Sequence, residues 1–78
     1  MEDKTPLMAH LNDTADLIYQ FILAFHEKRG LYPTQREIAK GCNLAPSSVY
    51  YQLNRLEAQG RIERAPGRMR SLFIPPHP

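Results

Sequence analysis

Cysteine is almost missing from this chain. Cys42 is the only one in 78 residues, so no intramolecular disulfide can form and a reducing compartment is expected. Long apolar runs are missing too. The densest stretch, Leu17 to Phe25, contains Gln20 and falls well short of the roughly 20 apolar residues of a membrane span. The chain opens with Glu2 and Asp3 ahead of Lys4, the wrong charge for a secretory leader. A cytoplasmic protein with no membrane partner is therefore expected. Histidine is sparse, and His10, His26 and His77 include no pair at metal-ligand spacing. Cys42 has no second thiol with which to share a zinc ion. Ser47-Ser48 lacks a nearby base that would make a nucleophile, and no glycine-rich phosphate loop occurs. These absences predict no catalytic residue, no metal, no cofactor and no small-molecule substrate. The chain reads as a non-enzyme.

What is present is an ordinary globular composition, 42% hydrophobic and 23% charged. Its length suits one domain, and a chain of this size hides only about 60% of its unfolded surface, too little for a deep cleft. Net charge is +2 but unevenly spread. Residues 1–30 carry three Lys/Arg against five Asp/Glu, residues 31–60 three against two, and residues 61–78 four against one. A basic C-terminal part points weakly to an anionic partner.

Along the chain, residues 1–11 have no sustained period and read as a loose lead-in. Leu17, Ile18, Phe21, Ile22 and Phe25 then recur at a period of 3.6, the apolar face of a helix. Asn12 or Asp13 suits its N-cap, and Gly30 its stop. Leu31-Tyr32 is expected to be a short extended piece, because Pro33 pushes its predecessor out of helical geometry. Thr34-Gln35-Arg36-Glu37 has the form of a capping box opening a short helix with Ile38, Ala39 and Cys42 facing inward. Asn43, tolerant of left-handed backbone, is the expected terminator. Pro46 suits a first helical turn, and Val49, Leu53 and Leu56 mark the apolar side of a third helix over 46–59. Two alternating runs, 61–64 and 71–74, flank the turn signal Pro66-Gly67 and predict a hairpin with arginine at its tip. Pro75 and Pro76 cannot extend a ladder, so residues 75–78 read as a tail and 12–74 as the domain. Only about four residues separate the second and third helices, the length of the turn in a helix-turn-helix. The expected fold is mainly α with a small β-hairpin: three helices plus a wing.

Two stretches carry a family resemblance. Tyr32-Pro33-Thr34-Gln35-Arg36-Glu37-Ile38-Ala39 resembles the second-helix entry of LexA-type repressor DNA-binding domains. Ser48-Val49-Tyr50-Tyr51-Gln52-Leu53, Leu56-Glu57 and Gly60-Arg61-Ile62 to Arg64 resemble that family's recognition helix and the start of its wing. The match runs from about Asn12 to Ile74. It departs at Asn43, where glycine is common, at Cys42, where a larger apolar residue is usual, and at Gln52, where histidine is frequent. The family's self-cleaving domain with its Ser–Lys pair has no counterpart in the sequence, so autocleavage and the dimerisation it supplies are not implied.

On a 100° wheel, Ser47, Tyr51, Asn54 and Arg55 point away from the apolar side of the third helix, with Ser48 and Tyr50 on the flanks. Hydroxyls, an amide, a guanidinium and aromatic rings suit base edges and phosphates, and the first turn of a recognition helix goes deepest. Tyr50 is the better candidate of the two tyrosines for packing against the first helix. Arg68 and Arg70, at the 65–70 tip, suit the backbone or the minor groove, and Arg36 the backbone; Arg64 and Lys40 are weaker candidates of that kind. The expected function is a prokaryotic, sequence-specific double-stranded DNA-binding regulator, most simply a repressor. Specificity would call for a second copy on an adjacent half-site, although no dedicated dimerisation helix is evident. The alternatives are a winged helix that binds protein, and a non-specific nucleic-acid binder.

Overall fold

The computed structural model describes residues 13–65 and 72–76. Within them lie three helices and one antiparallel hairpin: α1 (Thr14–Arg29), α2 (Gln35–Cys42), α3 (Pro46–Ala58), β1 (Glu63–Arg64) and β2 (Leu72–Phe73). The hairpin pairs Glu63 with Phe73 and Arg64 with Leu72. This is the helix-turn-helix with a wing that the sequence predicts. The lead-in expected over 1–11 and the hairpin tip from Pro66 to Ser71 lie outside the described residues.

Local signals set the helix ends. The Asp13 side chain accepts a hydrogen bond from the Ala15 N–H at 3.0 Å, so Asp13 caps α1 and satisfies one of its orphan donors. Gly30, at φ 76°, closes it in left-handed backbone. The capping box of α2 is complete. Thr34 Oγ1 accepts from the Glu37 N–H at 3.1 Å, and Glu37 Oε1 accepts from the Thr34 N–H at 2.9 Å. Asn43 ends α2 at φ 57°, ψ 50°, a conformation that asparagine reaches more readily than most residues. Pro46 stands in the first turn of α3, whose N-cap residue, Ala45, offers no capping side chain.

One core holds these pieces together. Ala15, Ile18 and Ile22 of α1, Ile38 and Ala39 of α2, and Val49, Leu53 and Leu56 of α3 are buried, closed from below by Ile62 and Leu72 of the wing. Leu17, grouped by period with the apolar face of α1, is 53% exposed; Ala15 takes the inward place one turn below Ile18, because α1 is rotated toward its 15–18–22 stripe. Leu31-Tyr32, expected as a short extended piece, is not part of any strand. The hairpin pairs only β1 with β2, and among the described residues no third strand joins them. The connection is instead pinned by side chains. Pro33 is fully buried, and the Tyr32 ring stacks on His26 with centroids 4.0 Å apart.

The helix-turn-helix pair is drawn close to α1 at Gly41. A Cβ at this position would overlap the Phe21 ring, which explains a glycine inside a helix where alanine is preferred by about 1 kcal/mol. Gly41→Ala is therefore expected to destabilise the domain by about 1–3 kcal/mol, the usual cost of overpacking, with Phe21→Leu in the same chain recovering part of it. Urea unfolding of the single and double variants measures both. Leu53→Ala, in the centre of the core, is expected to cost roughly 2–5 kcal/mol in the same assay. Cys42, half-buried at the end of α2, has its thiol pushed above the ordinary cysteine range by burial. It stays protonated at neutral pH, and only the thiolate attacks. Alkylation at pH 8 should run more slowly on the folded chain than after unfolding in urea.

Candidate nucleic-acid interface

Burying Val49, Leu53 and Leu56 turns the opposite side of α3 to solvent. Ser47 and Ser48 in the first turn, Tyr51 (61% exposed) and Asn54 lie on that side. Tyr50 is 56% exposed and does not pack into the core against α1 as the sequence suggested. It sits one position past Val49, which takes the inward place, so the ring comes to lie beside the wing, 5.8 Å from the Arg64 guanidinium. Two large aromatic rings are thus exposed on the helix beside the hydroxyls of Ser47 and Ser48 and the amide of Asn54.

The first turn of α3 is open to an anion. It carries no acidic residue and no side-chain cap, so its orphan N–H groups and the positive end of the helix dipole face outward. The start of α2 differs, since Thr34 and Glu37 occupy each other's donors. Arg36 is exposed near that start and pairs with none of the described residues.

Arg55 departs from the outward position the wheel gave it. It is half-buried, donates to Gln52 Oε1 at 3.0 Å and lies 3.9 Å from Asp13 Oδ1 at the start of α1. Its reach is long enough to bend back along the helix toward an acidic partner. Arg64, a weaker sequence candidate, also turns inward, to Glu57 and Asn54. Lys40 is exposed, but with Lys28 and Arg29 it rims an open cleft of about 410 Å³ between α1 and α2, floored by Phe21 and Phe25. Arg68 and Arg70 lie outside the described residues.

The sequence reading missed Arg61. Its Nη1 donates to Asp16 Oδ1 at 2.8 Å, and its guanidinium lies 4.3 Å from the Tyr19 ring centroid. The contact ties the entry of the wing to α1, 45 residues away in sequence. No local pattern could have announced it; a cation just after a helix-ending glycine looks like any surface arginine. Among the described residues, no group of three His, Cys, Asp or Glu could hold a metal ion, and no helix is long and apolar enough to cross a membrane.

Comparison with known proteins follows the same lines. The profile of the LexA DNA binding domain matches residues 8–71. A LexA repressor of Carboxydothermus hydrogenoformans is 36% identical over 72 residues, covering 91% of this chain and 34% of the relative. The LexA repressor of Clostridium perfringens is 38% identical over 64 residues, 81% of this chain and 32% of the relative. That of Thermotoga maritima is 37% identical over 67 residues, 86% and 34% respectively. The chain thus spans about a third of the length of these curated relatives.

Proposed function

Because the chain belongs to the LexA DNA-binding domain family, matched over residues 8–71, we propose that it binds double-stranded DNA in a sequence-specific way and represses transcription by occupying an operator. The observation that carries this reading is the face of α3. Ser47, Ser48, Tyr50, Tyr51 and Asn54 are exposed along it, above an uncapped, acid-free helix start. Hydroxyls and amides read base edges in the major groove, while helix N–H groups take phosphate. Arg36 holds the backbone from α2, and Arg68 and Arg70 reach backbone or minor groove from the 65–70 tip. Arg55, bent toward Asp13, contributes only by swinging free of that partner.

Binding, not catalysis, is the activity, and it takes place in the bacterial cytoplasm, where the chromosome lies. A module of this size covers roughly 600–1,000 Å² on DNA. Specificity is completed by a second copy on a half-site about one helical turn away. The bounds of the DNA-binding unit are residues 12–74.

Titration of a duplex at rising salt tests the proposal. Log K is expected to fall against log[salt] by about 0.9 for each phosphate contact. Arg68→Ala should lower that slope and weaken all duplexes alike, whereas Arg61→Gln, whose guanidinium is spent on Asp16, should leave the slope unchanged. Ser47→Ala and Tyr51→Ala should alter the preference among sequences by roughly 1–3 kcal/mol for each lost base contact. A flat salt response, or no duplex binding at low salt, would instead point to a protein partner.

A further inference from the structure

Arg64 leaves the wing and crosses to α3. Its side chain is 19% exposed, held by an acid and an amide of the helix. Nε and Nη2 donate to Glu57 Oε1 at 3.0 and 2.7 Å, and Nη2 also donates to Asn54 Oδ1. A guanidinium has donors and no acceptor. The Asn54 atom facing it is therefore the carbonyl oxygen, and the two N–H groups of this exposed side chain point away from the guanidinium. Gln52 is biased in the same sense, because its Oε1 accepts from Arg55. Arginine thus orients the oxygens of both carboxamides in α3.

A free asparagine pairs with adenine by donating to N7 and accepting from the N6 amino group. The second bond needs the oxygen, which has two lone pairs; the bond from Arg64 takes one of them and fixes the way that oxygen faces. We propose that Arg64 is a positioning residue for sequence readout, holding the Asn54 oxygen toward the wing so that the amide N–H groups lead and favour acceptor edges (guanine N7 and O6, thymine O4) over adenine. The inference rests on α3 being the element in the major groove. Arg64 acts through Asn54 and touches no base.

The test is selection of sites from a random duplex pool by the full chain and by three variants, each first checked for folding by thermal melting. The wild-type chain should enrich guanine or thymine at the base that Asn54 meets. Arg64→Leu frees the amide to rotate and should raise adenine several-fold at that one position, leaving the rest of the site intact. Arg64→Lys, still a donor without an acceptor, should keep the wild-type preference. Asn54→Asp gives one oxygen to Arg64 and presents the other, so the preference should invert toward the amino-bearing bases cytosine and adenine. This last change sits on the exposed face and reads out the same contact should Arg64→Leu fail to fold. The proposal is overturned if adenine already occupies that position in the wild-type site, if the variants select an unchanged site, or if they weaken all duplexes alike, as a phosphate contact would. A wild-type chain that enriches no sequence overturns the reading of α3 and this inference with it; enrichment with unchanged variant sites overturns this inference alone.

Discussion

The burial of one stripe of α3 is the constraint on which the rest depends. Helices of about 12–15 residues or fewer are marginal alone in water, and α3 has thirteen residues with no capping side chain. It persists because Val49, Leu53 and Leu56 are fully buried against Ile18, Ile22 and Ile38. At about 1.5–3 kcal/mol for each large side chain removed from water, that packing far exceeds an exposed ion pair, worth about 0.2–1 kcal/mol. The core decides that the helix exists and which way it faces. The arginine contacts decide only how its polar side chains are aimed.

Much of this was legible because the signals are local. Thr34 and Glu37 satisfy each other three residues apart, Asn43 needs only its own backbone, and Pro46 only its place in a first turn. The 49–53–56 stripe is a matter of helical period. Where local rules competed with tertiary placement, the reading slipped. Leu17 shares the period of α1 but not the buried sector, and Leu31-Tyr32 has extended character but no strand to pair with. The candidate site was legible as a face and less so as orientations. Exposure of Ser47, Ser48, Tyr51 and Asn54 follows from the wheel, whereas the inward turn of Arg55 depends on Gln52 and Asp13, and Tyr50 stays outside because Val49 takes the inward place.

Counting charge by segment overstates what is free for a partner. The basic excess after residue 60 includes Arg61 and Arg64, and both guanidinium groups are engaged within the molecule, on Asp16 and Tyr19 and on Glu57 and Asn54. Exposed cations among the described residues sit instead on the helices: Lys28 and Arg29 end α1, while Arg36 and Lys40 lie on α2. Separation in sequence hides this. An arginine's partner 45 positions away leaves no trace in the residues beside it.

The link from Arg64 to Glu57 and Asn54 also bears on how such a domain can diverge. Two positions joined through a third cannot drift independently: an acid lost at 57 loosens the cation at 64, and a cation lost at 64 releases the amide at 54. Lineages would be expected to exchange these residues as a set, so that new operator preferences arise in jumps and not by gradual wandering.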